Sequence, residues 1–197
     1  MLKVGIIVGS TRPGRQAEAV AQWVHGIALK RDDAEYELVD IESYDLPMLD
    51  EPAPAITGHY TKDHTRAWSA KIASLDAFVF VTPEYNHSTS AALKNALDFV
   101  QREWGDKSAG FVSYGSNSGS RAVEHLRGVM AALQIADVRS QVGLSLFDDF
   151  ENFSVFKPRD LHLPSVSAML DEVVGWGGAL RALRNARAAG PNPPSRN

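Results

Sequence analysis

The chain has 197 residues, 44% of them apolar, a formal charge of −4 and no cysteine. That size and composition suit one α/β domain with a full core. The slight acidity argues against a nucleic-acid-binding surface, and the lack of cysteine removes disulfides, thiolate nucleophiles and cysteine-held zinc or iron–sulfur centres.

The chain enters an apolar run, Val4-Gly5-Ile6-Ile7-Val8, almost at once. This leaves no room for a secretion leader, and no apolar run is long enough to span a bilayer. The expectation is a cytoplasmic protein. The run reads as a first strand. It leads into the turn Gly9-Ser10-Thr11-Arg12-Pro13-Gly14-Arg15, then into a helix with Ala17, Val20, Ala21, Val24 and Ala28 on one face. Glu37–Ile41 reads as a second strand, Tyr44–Pro54 as a Pro-rich acidic loop, and about Thr61 to Ser74 as a helix carrying Trp68 and Ile72 inward.

Ala77–Val81 is continuously apolar, as in a strand covered on both faces. The turn Thr82-Pro83-Glu84-Tyr85-Asn86-His87-Ser88 follows, then a helix from about Ser90 that buries Leu93, Ala96, Leu97 and Val100. Lys107–Tyr114 reads as a fourth strand and Gly115–Ser120 as a small-residue turn. Arg121–Leu133 is a helix and Ala136–Leu144 a fifth strand. A polar, acidic connection over Asp148–Asp160 precedes a last helix from about Ser165, which Gly175, Gly177 and Gly178 threaten to interrupt. The Pro- and Asn-rich residues 190–197 read as a disordered tail. Repeated β–α units imply a parallel sheet between two helix layers, with 1–189 as one domain. Five strands fit the flavodoxin-like order 2-1-3-4-5, in which the turns after strands 1, 3 and 4 converge at the switch point where ligands bind.

The first turn has the chemistry of a phosphomonoester site. A helix N-terminus presents unpaired N–H groups and the positive end of a dipole. Ser10 and Thr11 add hydroxyls, and Arg12 and Arg15 add guanidinium forks suited to phosphate. It is not a P-loop, because Arg15-Gln16 stand where Lys and a hydroxyl residue are needed. It is not a dinucleotide fingerprint either, because Thr11 replaces the second glycine. The competing reading is a solvated loop with scattered arginines. In the second turn Pro83 gives rigidity, Tyr85 a planar surface and Asn86 an amide, which suits a flat heteroaromatic ring. An ordinary polar turn with Ser88 or Ser90 as helix cap is the alternative. The third turn, taken alone, reads first as a flexible loop with a serine cap, although its small residues also permit close approach of a ligand.

The first turn, together with Pro83-Glu84-Tyr85-Asn86 and Leu93-Lys94-Asn95-Ala96-Leu97-Asp98, resembles the NADPH-dependent FMN reductase family over Lys3 to about Ala132. The resemblance implies a flavodoxin-like FMN-binding domain over 1–189. Ser10, Arg12 and Arg15 would hold the FMN phosphate. Pro83, Glu84, Tyr85 and Asn86 would line the isoalloxazine. Ser113, Tyr114, Gly115 and Gly119 would flank its pyrimidine end or the ribityl chain. It implies hydride transfer from NADPH or NADH to FMN and onward to a flavin, quinone or similar small-molecule acceptor, in a homodimer or homotetramer that needs neither nucleic acid nor membrane. With flavin carrying the redox chemistry, no dedicated acid, base or metal is called for. Arg15 and Ala17 depart from the Ser and Asn that many members carry, a subgroup variation. A flavodoxin-type electron carrier and a degenerate P-loop enzyme are the alternatives. His59, His64 and His87 lie near the expected mouth and read as loop histidines. Asp148, Asp149 and Glu151 read as a solvated acidic loop, and the four tryptophans as core or interface residues.

Overall fold

The computed structural model describes residues 1–190; all of the expected tail but Gly190 lies outside them. Its elements are β1 (Leu2–Val8), α1 (Ala17–Ala28), β2 (Ala34–Asp40), α2 (Asp63–Ala73), β3 (Ala77–Pro83), α3 (Ala91–Asp98), β4 (Lys107–Gly115), α4 (Ser120–Ala132), β5 (Ile135–Ser145), the short strands β6 (Phe150–Glu151) and β7 (Val155–Phe156), and α5 (Leu163–Ala189). Five strands form a parallel sheet of order β2-β1-β3-β4-β5, the order expected from the sequence.

Two apolar clusters sandwich the sheet. Alternate residues of β1, β3 and β4 pack on α1 and α5, and the others pack on α2, α3 and α4, where Trp68 and Trp104 are wholly buried. β3 and β4 are buried along their whole length, which is why their sequences run apolar without alternation. Val8, Val81 and Val112 lie abreast. β3 and β4 then continue two residues further, pairing Thr82 with Ser113 and Pro83 with Tyr114. The turns after β1, β3 and β4 therefore leave from one edge.

Three sequence expectations need correction. β2 begins at Ala34, because Ala34 and Tyr36 are buried on its alternating face. α5 runs unbroken through its glycines. A Cβ at Gly177 would stand 2.9 Å from both Leu2 Cδ2 and Ser108 Oγ, so glycine there lets the helix lie on the sheet. Burial of Val166, Met169, Leu170 and Val173 offsets a helix cost of about 1 kcal/mol per glycine.

The acidic connection, thirdly, is a built hairpin. Asn152 and Phe153 both have positive φ, and Ser154 N–H bonds Glu151 O at 3.1 Å, within the three-residue turn that joins Glu151 to its cross-strand partner Val155. Asp149 is fully buried and is the hairpin's anchor rather than a solvated acid. It accepts from Ser145 N at 2.8 Å and Arg159 Nε at 3.0 Å, and His162 Nε2 lies 2.9 Å away. Burial pushes its carboxyl up, but bonds from Arg159, Ser145 and His162 outweigh that and leave it below the usual range.

Candidate functional site

The first turn is fixed by glycine geometry. Gly9 N–H bonds Val81 O at 2.9 Å, and a Cβ at Gly9 would lie 2.5 Å from that oxygen. Ser90 Oγ donates to Gly9 O at 2.6 Å and accepts from Leu93 N at 3.0 Å, so the cap of α3 also ties down the first turn. Gly14 has φ of 73° and Arg15 N–H reaches Arg12 O at 2.9 Å; Pro13-Gly14 is the pair that such a turn favours. The helix that follows, α1, has no side-chain cap. Its first N–H groups lack intrahelical partners.

The arginines of this turn differ. Arg12 is exposed, with Cζ 5.6 Å above the Tyr85 ring. The Arg15 side chain is largely buried; it pairs with Asp40 at the end of β2, and its Nη1 lies 2.7 Å from Glu42 Oε2 without the alignment of a hydrogen bond. Burial holds Asp40 above its ordinary carboxylate range despite Arg15. The sequence signal for this pairing was an acid at the end of the strand beside β1. A cleft of about 230 Å³ runs from Thr11 past Ile41, Leu46 and Ala92. It borders the first turn rather than spanning the three turns.

In the second turn, Tyr85 and Ser88 exchange backbone hydrogen bonds of 2.9 and 3.1 Å across Asn86 and His87, whose φ values are 46° and 76°. Both central residues are left-handed, which defines the tight hairpin turn that favours Asn. Histidine at such a φ is unusual, and such residues gather at functional sites. Tyr85 Oη lies 3.3 Å from the buried Ser10 Oγ, so the second turn touches the first. Pro83 is buried at the end of β3. The Glu84 side chain is buried too; it accepts from Arg121 N at 3.0 Å and pairs with the Arg121 guanidinium.

The third turn is closed by its own bonds. Ser113 Oγ donates to Ser118 O at 2.8 Å, and Ser118 N–H bonds Gly115 O at 3.1 Å. Gly119 has φ of 70° and a Cβ there would lie 2.6 Å from Ser113 Cβ, so no other residue fits. Gly115 stands against Glu84, where a Cβ would lie 3.1 Å from Glu84 Cβ. The Tyr114 hydroxyl is buried and, among the described residues, donates to no acceptor. Ser10, Arg12, Tyr85, Asn86, Tyr114, Gly115 and Gly119 thus lie on three adjoining turns, while Arg15, Glu84 and Ser113 spend their side chains on holding those turns.

Among the three histidines singled out from the sequence, His87 lies on these turns, with Nδ1 3.3 Å from Arg121 Nη1. His64 sits on α2, its Nε2 3.0 Å from Asp50, and His59 is exposed. His125 was not singled out; its Nδ1 lies 3.0 Å from Ser88 Oγ. The Leu93–Asp98 signature is a fastener. Asn95 donates to Pro47 O at 2.7 Å and accepts from Leu49 N at 3.0 Å, holding the loop after β2. Among the described residues no group of three or more His, Asp or Glu could hold a metal ion, and no helix is long and apolar enough to cross a membrane.

The donors of the first turn suit a phosphate, since an uncapped helix end, Arg12 and serine and tyrosine hydroxyls meet there and Arg15 neutralises the nearby carboxylates. A planar ring suits the second turn, where Tyr85 adjoins exposed backbone. FMN, which joins a phosphate to a planar ring, fits this donor set.

A family model described as NADPH-dependent FMN reductase matches residues 2–149. An NAD(P)H-dependent FMN reductase of Schizosaccharomyces pombe is 40% identical over 146 residues, 73% of each chain. A 2-hydroxy-1,4-benzoquinone reductase of Burkholderia sp is 35% identical over 145 residues, 68% of this chain and 73% of its own. The solved structure of FerB, a flavoenzyme NAD(P)H:(acceptor) oxidoreductase from Paracoccus denitrificans, superposes with a TM-score of 0.72. The match covers 91% of this chain and 98% of FerB at 19% identity, a likeness of fold.

Proposed function

This chain belongs to the NADPH-dependent FMN reductase family, and from that membership and the three converging turns we infer that it is an NAD(P)H-dependent oxidoreductase with FMN as its redox cofactor. Bound FMN would supply the redox chemistry, hydride acceptance from a reduced nicotinamide and electron delivery to an acceptor. The chain supplies binding and orientation. The observation that carries this reading is the uncapped start of α1, with Arg12 and Ser10 beside it and the Tyr85 hydroxyl 3.3 Å from Ser10.

In this reading the α1 N–H groups, Ser10 and Arg12 hold the phosphate. Arg15 acts mainly by neutralising Asp40 and Glu42, which would otherwise repel a dianion. Tyr85 and the backbone of Asn86 border the ring, and Gly115 and Gly119 let the third turn approach it. Backbone N–H groups of the second and third turns stabilise negative charge that develops on the ring. Pro83 and Ser113 shape these turns, and Glu84 joins them.

A quinone, a free flavin or a similar small molecule is the acceptor, as the quinone reductases among its relatives suggest. The working unit is a cytoplasmic homodimer or homotetramer, with 1–189 as a single FMN-binding domain. Anaerobic addition of NADPH to the purified, FMN-loaded protein tests this reading. Bleaching of the flavin band within turnover times, followed by reoxidation on adding a quinone, is expected. A flavin that NADPH leaves oxidised would make the protein an electron carrier served by a separate reductase.

A further inference from the structure

Tyr114 carries a group that the fold does not use. The residue is 6% exposed; among the described residues its hydroxyl donates to no acceptor and makes no hydrogen bond of good geometry, with the Ala17 N–H beside it. Leaving such a group unpaired in the interior is costly, and in native proteins each instance calls for an explanation, such as a missing ligand or water. The β4 face to which Tyr114 belongs packs on α1, in one cluster with Ala17 and Val20. Burial is the largest influence on the hydroxyl and keeps it protonated. The groups that act on it next are Tyr85, Arg12, the Ala17 N–H and Arg15. All but Tyr85 belong to the first turn or the first residue of α1, and the Tyr85 hydroxyl itself lies against Ser10. No carboxylate is among them. The hydroxyl therefore lies toward the first turn and the uncapped end of α1.

We propose that Tyr114 Oη donates a hydrogen bond to the phosphate monoester of the flavin at the start of α1, and so helps select FMN over unphosphorylated flavin. The proposal rests on the FMN reading given above. A neutral donor that is already desolvated suits a phosphate dianion, because charge-assisted bonds are the stronger kind. Ser10 and Arg12 complete the set. Ring orientation is left to the second turn.

The test compares wild type with Tyr114→Phe, titrating each apoprotein with FMN and with riboflavin and recording the unfolding temperature of each apoprotein. Loss of one charge-assisted bond should weaken FMN binding about 10- to 150-fold. Riboflavin affinity should stay within about twofold, and the apoprotein should melt at the wild-type temperature or above it, since an unpaired buried group has been removed. An FMN loss smaller than tenfold, or equal losses for FMN and riboflavin, would overturn the role of Tyr114 while leaving the FMN reading intact. A wild-type protein that binds riboflavin as tightly as FMN would overturn the phosphate site itself, and this proposal with it.

Discussion

Glu84 and Arg121 clasp the second and third turns together: one carboxylate oxygen of Glu84 accepts the Arg121 backbone N–H at 3.0 Å and the other meets the Arg121 guanidinium. Arg121 is the second residue of α4, whose own N-cap, Gly119, offers no side chain. Glu84 therefore caps α4 from 37 residues away. Its side chain is 4% exposed and is directed to the helix rather than free to meet a ring.

Glu84→Ala should consequently act through geometry. Loss of a helix cap costs about 0.5–2 kcal/mol, and breaking the partly exposed pair adds to it. Stability measured by urea unfolding should fall by that amount. FMN and riboflavin should lose affinity in parallel, their ratio staying within about twofold. A selective loss of FMN would instead give Glu84 a direct part in holding the phosphate end.

The two arginines of the first turn should separate in the same assays. Arg12 is exposed and makes no ion pair among the described residues, so Arg12→Ala should leave the apoprotein melting temperature unchanged and weaken FMN about 10- to 150-fold. Arg15 is paired with Asp40 and Glu42. Arg15→Ala strips two carboxylates of their counter-charge at the mouth of the phosphate turn, so it should lower both FMN affinity and apoprotein stability. Equal melting temperatures for the two variants would mean that the Asp40 pair contributes nothing to the fold.

The frame of the site was legible because it rests on local rules. Continuous apolar runs at Val4–Val8 and Ala77–Val81 announced covered parallel strands, and alternation with helices fixed the order in which their turns would meet. Side-chain commitments were not legible. Arg15 and Arg12 look alike in sequence, and only the pairing of β2 with β1 brings Asp40 to one of them. Nothing near Glu84 in sequence marks the commitment of its side chain to Arg121, which comes from the next β–α unit. Asp149 looked solvated because its partners, Arg159 and His162, lie 10 and 13 residues on, beyond any helical or strand period. Gly177 looked like a breaker, since a close approach to Leu2 and Ser108 leaves no local mark.

Tyr85 bridges the phosphate and ring ends, with Arg12 over its ring and Ser10 at its hydroxyl. In FMN-saturated protein, Tyr85→Ala should shift the flavin absorption bands and raise the nicotinamide KM. Its side chain is only half-buried, so the melting temperature should move little. Tyr85→Phe should keep the spectrum and KM and lose only FMN affinity, by less than Arg12→Ala does. Wild-type kinetics with an unshifted spectrum in Tyr85→Ala would remove the second turn from the active site.

Lys107 lies at the opposite edge of the sheet, at the start of β4, and gives the fold a pH dependence of its own. It is 4% exposed, donates to Ile72 O near the end of α2 at 2.7 Å, and sits 5.5 Å from the centre of the Phe78 ring. Burial, helped by Arg184, brings its pKa from 10.5 down to about 8. Below pH 8 the ammonium is charged in both states and the folded state carries the full cost of burying it. Between pH 8 and 10.5 the unfolded chain binds more protons than the folded one, so this group makes stability rise with pH. Between pH 7 and pH 10 the rise amounts to about 2.5 kcal/mol. Lys107→Met removes the titration and one bond to Ile72 O, which still accepts from Leu75 N at 3.3 Å, at about 0.5–1.5 kcal/mol. The variant should therefore match or exceed wild-type stability at pH 7 and fall below it by pH 10. Urea unfolding of both proteins at unit pH steps reads the difference directly, because every other titrating group is common to the two. A difference that stays constant over this range would show that Lys107 keeps its ordinary pKa in the fold.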